Sequence, residues 1–154
     1  MPKISIVEER PDSPDAMQLI AELDVHLNSM PYPRESRHAF SVETLLRQAV
    51  AFFVSRQDGL PVGCGGVQLF GTTYGEVKRM YVQPRYRRLG LGRLMLKHLA
   101  EYARRHGVAV LRLETGIYQT EAIALYERFG FQRIAPFGSY HEDPLSRYYE
   151  MHIA

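Results

Sequence analysis

The stretch from Gln83 to Gly107, QPRYRRLGLGRLMLKHLAEYARRHG, sets Arg85, Arg87 and Arg88 directly ahead of Gly90 and Gly92, where a helical pattern begins. The first turn of a helix leaves backbone N–H groups unpaired and carries partial positive charge. An anion is stabilised there if it can approach the backbone closely. Glycines at 90 and 92 remove side chains that would block that approach, and the arginines add full charges able to grip phosphate oxygens. The loop is therefore expected to hold a phosphorylated ligand, a diphosphate in particular.

Spacing separates the ligand classes. A P-loop continues as Gly-Lys-Ser/Thr, whereas this chain reads Gly92-Arg93-Leu94, which argues against nucleoside triphosphate hydrolysis. A dinucleotide fingerprint is a fairer rival, because Glu114 ends the next strand, where a ribose-binding carboxylate would stand. Its third glycine position is Met95, and the turn before the glycines is long. Taken alone, the loop could also be a solvated arginine turn.

Other reactive residue types offer less. Cys64, the single cysteine, lies between glycines in a strand pattern without a basic partner, so it reads as a packing residue and excludes an internal disulfide. His106 suits a helix C-terminus and His98 a polar helix position. His26, His38, His141 and His152 show no metal-ligand spacing, and "HED" at 141–143 reads as a turn before Pro144. No metal is expected.

The elements that position these groups can be read from periodicity. The pattern KISIVEE alternates as a strand. It is followed by a helix with Met17, Ile20, Leu23 and Leu27 at helical spacing, and by a short helix from a Ser41 cap to Gln48. Three β-rich runs, AVAFFVSR, LPVGCGGVQLF and TYGEVKRMYV, are separated by QDG and GT and read as an antiparallel meander. Leu91, Leu94, Met95, Leu99, Tyr102 and Ala103 mark one apolar helix face, which a basic last turn and Gly107 terminate. VAVLRLET is the next strand, TEAIALYERFG a helix, and FQRIAPF and SRYYEMHI the final strands. The strand–helix–strand unit from Val77 to Thr115 requires parallel pairing. The expected fold class is α/β: a mixed, mostly antiparallel sheet flanked by helices, in the order β-α-α-β-β-β-α-β-α-β-β.

Length and composition bound the rest. The chain has 154 residues, 45% hydrophobic and 23% charged, which suits one globular domain over residues 1–154. With 19 Lys+Arg against 17 Asp+Glu the net charge is +2, too small for a nucleic-acid-binding domain. No run approaches the ~18 apolar residues of a membrane span, and the first residues lack a signal-peptide core, so a cytoplasmic location is expected. Sheet edges leave room for a homodimer.

The stretch VKRMYVQPRYRRLGLGRLMLKHLAEYARRHG, followed by LRLETGIYQTEAIALYERFGFQRI, resembles the GNAT superfamily of acyl-CoA N-acyltransferases. The signature Q/R-x-x-G-x-G/A is met by Arg87-Arg88-Leu89-Gly90-Leu91-Gly92, in the right place between a strand and an amphipathic helix. The likeness is close from about Val62 to Ile134, and element order extends it over the chain. It implies that the amides around Leu89 to Arg93 hold the pyrophosphate of acetyl-CoA, and that Met80, Tyr81 and Val82 pair with the pantetheine arm. Gln119 stands where the family often carries asparagine.

The same resemblance implies direct transfer of the acetyl group to a primary amine of a small molecule or peptide in a ternary complex. Tyr126 occupies the position of a general acid for the departing thiolate, and Glu76 that of a base for the amine, with Glu114 as competitor. The structural alternatives are a core tyrosine at 126 and an ion pair between Glu76 and Lys78. Acceptor groups are expected from two loops, with Tyr32, His38 and Tyr140 as candidates, and from Arg79, which could grip an acceptor carboxylate. A non-catalytic acyl-CoA sensor or protein-interaction module is the alternative reading.

Overall fold

The computed structural model describes residues 1–33, 36 and 41–154; His38 lies outside the described residues. The element order is β1 (Ile4–Glu8), α1 (Pro14–Asn28), α2 (Val42–Arg47), β2 (Ala51–Gln57), β3 (Leu60–Phe70), β4 (Tyr74–Val82), α3 (Leu91–Arg105), β5 (Val110–Gly116), α4 (Thr120–Phe129), β6 (Gln132–Ile134) and β7 (Ser146–His152). This is the mixed α/β order expected from the sequence. The strands form one sheet in the order β1-β2-β3-β4-β5-β7-β6, antiparallel except between β4 and β5.

Local chemistry accounts for the boundaries. Ser13 caps α1, its Oγ accepting from the Ala16 N–H at 3.1 Å, with Pro14 at the first helical position. Ser41 caps α2 in the same way through the Thr44 N–H. Gly90 enters α3 in the left-handed conformation, φ 82°, which costs glycine nothing.

Each face of the sheet is covered separately. On one face α1 and α2 bury Leu19, Ile20, Leu23 and Leu45 against Phe52, Val54 and Cys64. On the other, α3 and α4 bury Met95, Leu96, Leu99, Ile123 and Tyr126 against Phe53, Val67, Val77 and Leu111. Two stripe positions expected from periodicity face outward instead: Met17 is 49% and Leu94 41% exposed. Ala16 and Leu19 replace the first, Leu96 and Ala100 the second, because each buried stripe is rotated by about one position. The strand expected over FQRIAPF shrinks to Gln132–Ile134, since Pro136 cannot extend a ladder.

Two irregularities in β4 shape the centre. Cys64 pairs with Tyr81 but Gly66 with Lys78, so Arg79 and Met80 together face Gly65. This β-bulge puts Arg79 at φ 57° and lets consecutive Lys78 and Arg79 both serve the α1/α2 face. A Cβ on Gly65 would lie 2.8 Å from Met80 Sδ and 2.9 Å from Met95 Cγ, so this position must be glycine for Met80 to seat. The second irregularity is the short β4–β5 ladder, which pairs only Gly75 with Leu111 and Glu76 with Arg112. Beyond Glu76 and Arg112 the two strands run on unpaired, leaving a wedge between them.

Candidate active site

The wedge opens into a cleft of about 750 Å³, floored by Met80, Tyr81 and Val82 and closed by residues 86–93 and α4. Among the described residues, the N–H groups of residues 88–93 have no backbone acceptor, and Leu94 N–H is the first to bond, to Gly90 O at 3.0 Å. A side chain on Gly90 would meet nothing within 4 Å, so the space beside this residue is open. A row of free N–H groups at the start of a fifteen-residue helix, beside a wedge with unpaired strand edges, fits a pantetheine diphosphate.

The side chains around this loop divide between structure and ligand. Arg87 Nε donates to Val82 O at 2.9 Å and its guanidinium lies 3.7 Å from Glu121, which ties the loop to β4 and α4. Arg88, at φ 66°, lines the cleft, and Leu89 beside it is 60% exposed. Arg93 packs over the Phe129 ring. A Cβ on Gly92 would lie 2.7 Å from Leu125 Cδ2, so this glycine also admits α4 beside α3. Leu91 is buried and lines the cleft.

Behind the wedge lies an inner chamber of about 120 Å³. Tyr126, Met80 and Gln119 line both the cleft and the chamber, so they mark the place where the two meet. Glu76, Glu114, Arg79, Tyr32 and Tyr140 complete the chamber wall. Tyr32 lies flat on Gly116, where a Cβ would fall 2.0 Å from its hydroxyl, and Tyr32 Oη accepts from the Tyr118 N–H at 2.8 Å. Gln119 hydrogen-bonds the same phenol, whose pKa burial raises.

The electrostatics of the chamber are set by burial. Glu76 is buried, and desolvation raises its pKa, while a hydrogen bond from Tyr140 Oη at 2.5 Å and the charge of Lys78 act against that rise. Glu114 is pushed up to about 7, chiefly by burial and further by Glu76 and Asp143, although Ser146 Oγ donates to it at 2.8 Å. Tyr126 is buried, and its pKa is raised by desolvation and by Glu114. A phenol in that setting keeps its proton at neutral pH.

The two basic groups of β4 are engaged. Lys78 makes no ion pair with Glu76 among the described contacts; its Nζ donates to Gln68 Oε1 at 2.6 Å and Gln48 Oε1 at 3.0 Å, and burial lowers its pKa. Arg79 donates to Asp24 at 2.5 Å and to Ile20 O at 3.3 Å, leaving its shielded Nε unpaired. Cys64 is buried, donates to Arg79 O, and burial pushes its thiol up to about 12, which removes it as a nucleophile. Among the described residues no group of three or more His, Cys, Asp or Glu is placed to hold a metal ion, and no helix is long and apolar enough to cross a membrane.

The sequence pointed to Glu76, Glu114, Tyr126 and Tyr140 separately, and the fold brings all four into one chamber. It gave no signal for Ser146 as the partner of Glu114, or for Gln48 and Gln68 as partners of Lys78. Those contacts span 32, 30 and 10 residues, and only the folded sheet could show them.

Comparison with known proteins places this architecture. The acetyltransferase (GNAT) family profile matches residues 17–131. An IAA acetyltransferase of Azospirillum brasilense is 44% identical over 151 residues, covering 97% of this chain and 98% of that protein. The N-acetyltransferase YsnE of Bacillus subtilis is 36% identical over 133 residues, 84% of this chain and 88% of that one. The crystal structure of a Klebsiella pneumoniae protein assigned as an acyl-CoA N-acyltransferase superposes with a TM-score of 0.84 at 35% identity, over 98% of both chains. The chain belongs to the GNAT family of acetyltransferases. It is an enzyme that uses acetyl-CoA, which decides against the non-catalytic alternative left open by the sequence.

Proposed function

We propose that residues 1–154 act as one acetyltransferase domain that moves an acetyl group from acetyl-CoA to a primary amine of a small molecule or peptide by direct attack. One observation carries this reading: Tyr126, Met80 and Gln119 belong both to the donor cleft and to the chamber that holds two raised carboxyls. Donor thioester and acceptor amine then meet at a single point, which supplies most of what a direct transfer needs.

In this reading the amides of residues 88–93 hold the diphosphate, Arg88 and Arg93 flank it, and the unpaired edge at Met80, Tyr81 and Val82 takes the pantetheine arm. A carboxylate of the chamber takes one proton from the acceptor ammonium. The neutral nitrogen then bonds to the acetyl carbon as the carbon–sulfur bond breaks. Tyr126 passes its proton to the departing sulfur and is restored by the second proton that leaves nitrogen as the amide forms; the carboxyl returns the first to solvent. Glu114, near 7, is matched to this task at neutral pH. Glu76, hydrogen-bonded by Tyr140, shares the chamber and sets its charge. Tyr32 and Tyr140 bound the acceptor.

Tyr126→Phe tests the assignment. Loss of a general acid is expected to lower kcat about 100-fold, with the Kd of acetyl-CoA unchanged by calorimetry. An unaltered kcat with a good amine would remove Tyr126 from the reaction.

A further inference from the structure

We infer that the acceptor is an arylalkylamine, whose ammonium enters the inner chamber on a short unbranched arm while its ring rests on Phe70 outside. The inference builds on the reading above, in which the chamber acetylates a primary amine. It starts from size. A chamber of about 120 Å³ is well below the ~300–1,000 Å³ of a site that encloses a whole small molecule. Only the aminomethyl end of an acceptor fits beside Glu76 and Glu114. The remainder must lie in the neighbouring outer cavity of about 850 Å³, which shares Glu76, Lys78 and Tyr140 with the chamber. Glu76 and Tyr140 line both spaces and are hydrogen-bonded to each other, which favours a thin connecting arm.

The wall beyond the partition is aromatic. Phe70 pairs with Tyr74 and Gln68 with Glu76 across β3 and β4, so alternation sets all four on one sheet face. Phe70 stacks on Tyr74 with ring centroids 4.7 Å apart at 19°. Tyr74 is 8% exposed and Phe70 37%, which leaves a large apolar ring on the wall of a concave site, where a ligand ring can extend the stack. Tyr74 and Glu76 are two strand residues apart, about 7 Å, a span suited to an arm of about two or three carbons.

Charge narrows the class further. Glu142 also lines the outer cavity and favours a cation there. Among the described residues, Arg79, a guanidinium that could receive a carboxylate, is already held by Asp24 and Ile20 O. A polyamine would satisfy the acidic side chains but leave Phe70 without a role.

The test compares 2-phenylethylamine, n-butylamine, putrescine and glycine as acceptors for the full chain, by thiol release from acetyl-CoA. The kcat/KM for 2-phenylethylamine is expected to exceed that for n-butylamine by about tenfold or more. Phe70→Ala should bring the ratio close to one, and Phe70→Tyr, which keeps the ring, should preserve it. Turnover in which n-butylamine, putrescine or glycine equals 2-phenylethylamine, or a ratio untouched by Phe70→Ala, overturns the aryl inference and leaves amine acetylation standing. No turnover of any amine by protein that binds acetyl-CoA overturns both.

Discussion

Replacing Glu114 by Gln removes a titrating carboxyl while keeping its shape and an acceptor for Ser146. In the folded chain this carboxyl sits at about 7 against an ordinary 4.5, so between those values the native state holds a proton that the unfolded state has released. Its contribution is most favourable below the unfolded value and is lost as pH rises through about 7. At about 1.4 kcal/mol per pKa unit, the rise corresponds to at most about 3.5 kcal/mol. For a chain of this size roughly 2–4 °C of Tm accompanies each kcal/mol. Glu76, also raised, adds a loss of the same sign in both proteins. Calorimetric melting at pH 5 and pH 8 without acetyl-CoA should therefore show wild type losing more than Glu114→Gln, by about 5 °C or more. Wild type is expected to gain kcat/KM as pH rises to about 7, and the variant should lack that rise. Equal pH dependence of Tm in the two proteins would refute the raised carboxyl and with it the match between Glu114 and its proposed task.

Two further outcomes follow from packing. Gly92→Val places a side chain where Leu125 Cδ2 lies 2.7 Å from the position of a Cβ; with Leu125 driven into the donor cleft, the Kd of acetyl-CoA should rise about tenfold, and unchanged affinity by titration would contradict the cleft assignment. Asp24→Ala leaves the Arg79 guanidinium, 3% exposed, without its carboxylate. Urea unfolding should show a loss of about 2–3 kcal/mol, below the cost at a fully buried pair because Asp24 is 44% exposed.

Much of this was legible in the sequence where a local rule acts. Ser13 and Ser41 announce helix starts, Gly107 and Gly130 helix ends, and Gly90 the turn that opens the donor loop. The β-bulge in β4 was not legible, because Arg79 adopts φ 57° without a glycine and is held there by Asp24 and Ile20 from another element. That bulge breaks the strict alternation of β4, so the engagement of Arg79 with α1 could not be read from spacing. Glu76 and Glu114 were each visible as strand carboxylates, yet their balance was hidden. Ser146, Tyr140 and the depth of the chamber decide it, and all three depend on the return of β7 beside β5. Gly92 shows the same limit: the sequence suggests access for an anion, and the fold adds the contact with Leu125.

The most direct test of the account mixes the purified chain with acetyl-CoA and 2-phenylethylamine or n-butylamine, and measures free thiol and acetylated amine together, the second by mass spectrometry. Transfer at the junction marked by Tyr126 predicts one amide for each thiol released, with thiol release negligible when no amine is present. Thiol released without amide, or no release from protein that binds acetyl-CoA, would contradict it.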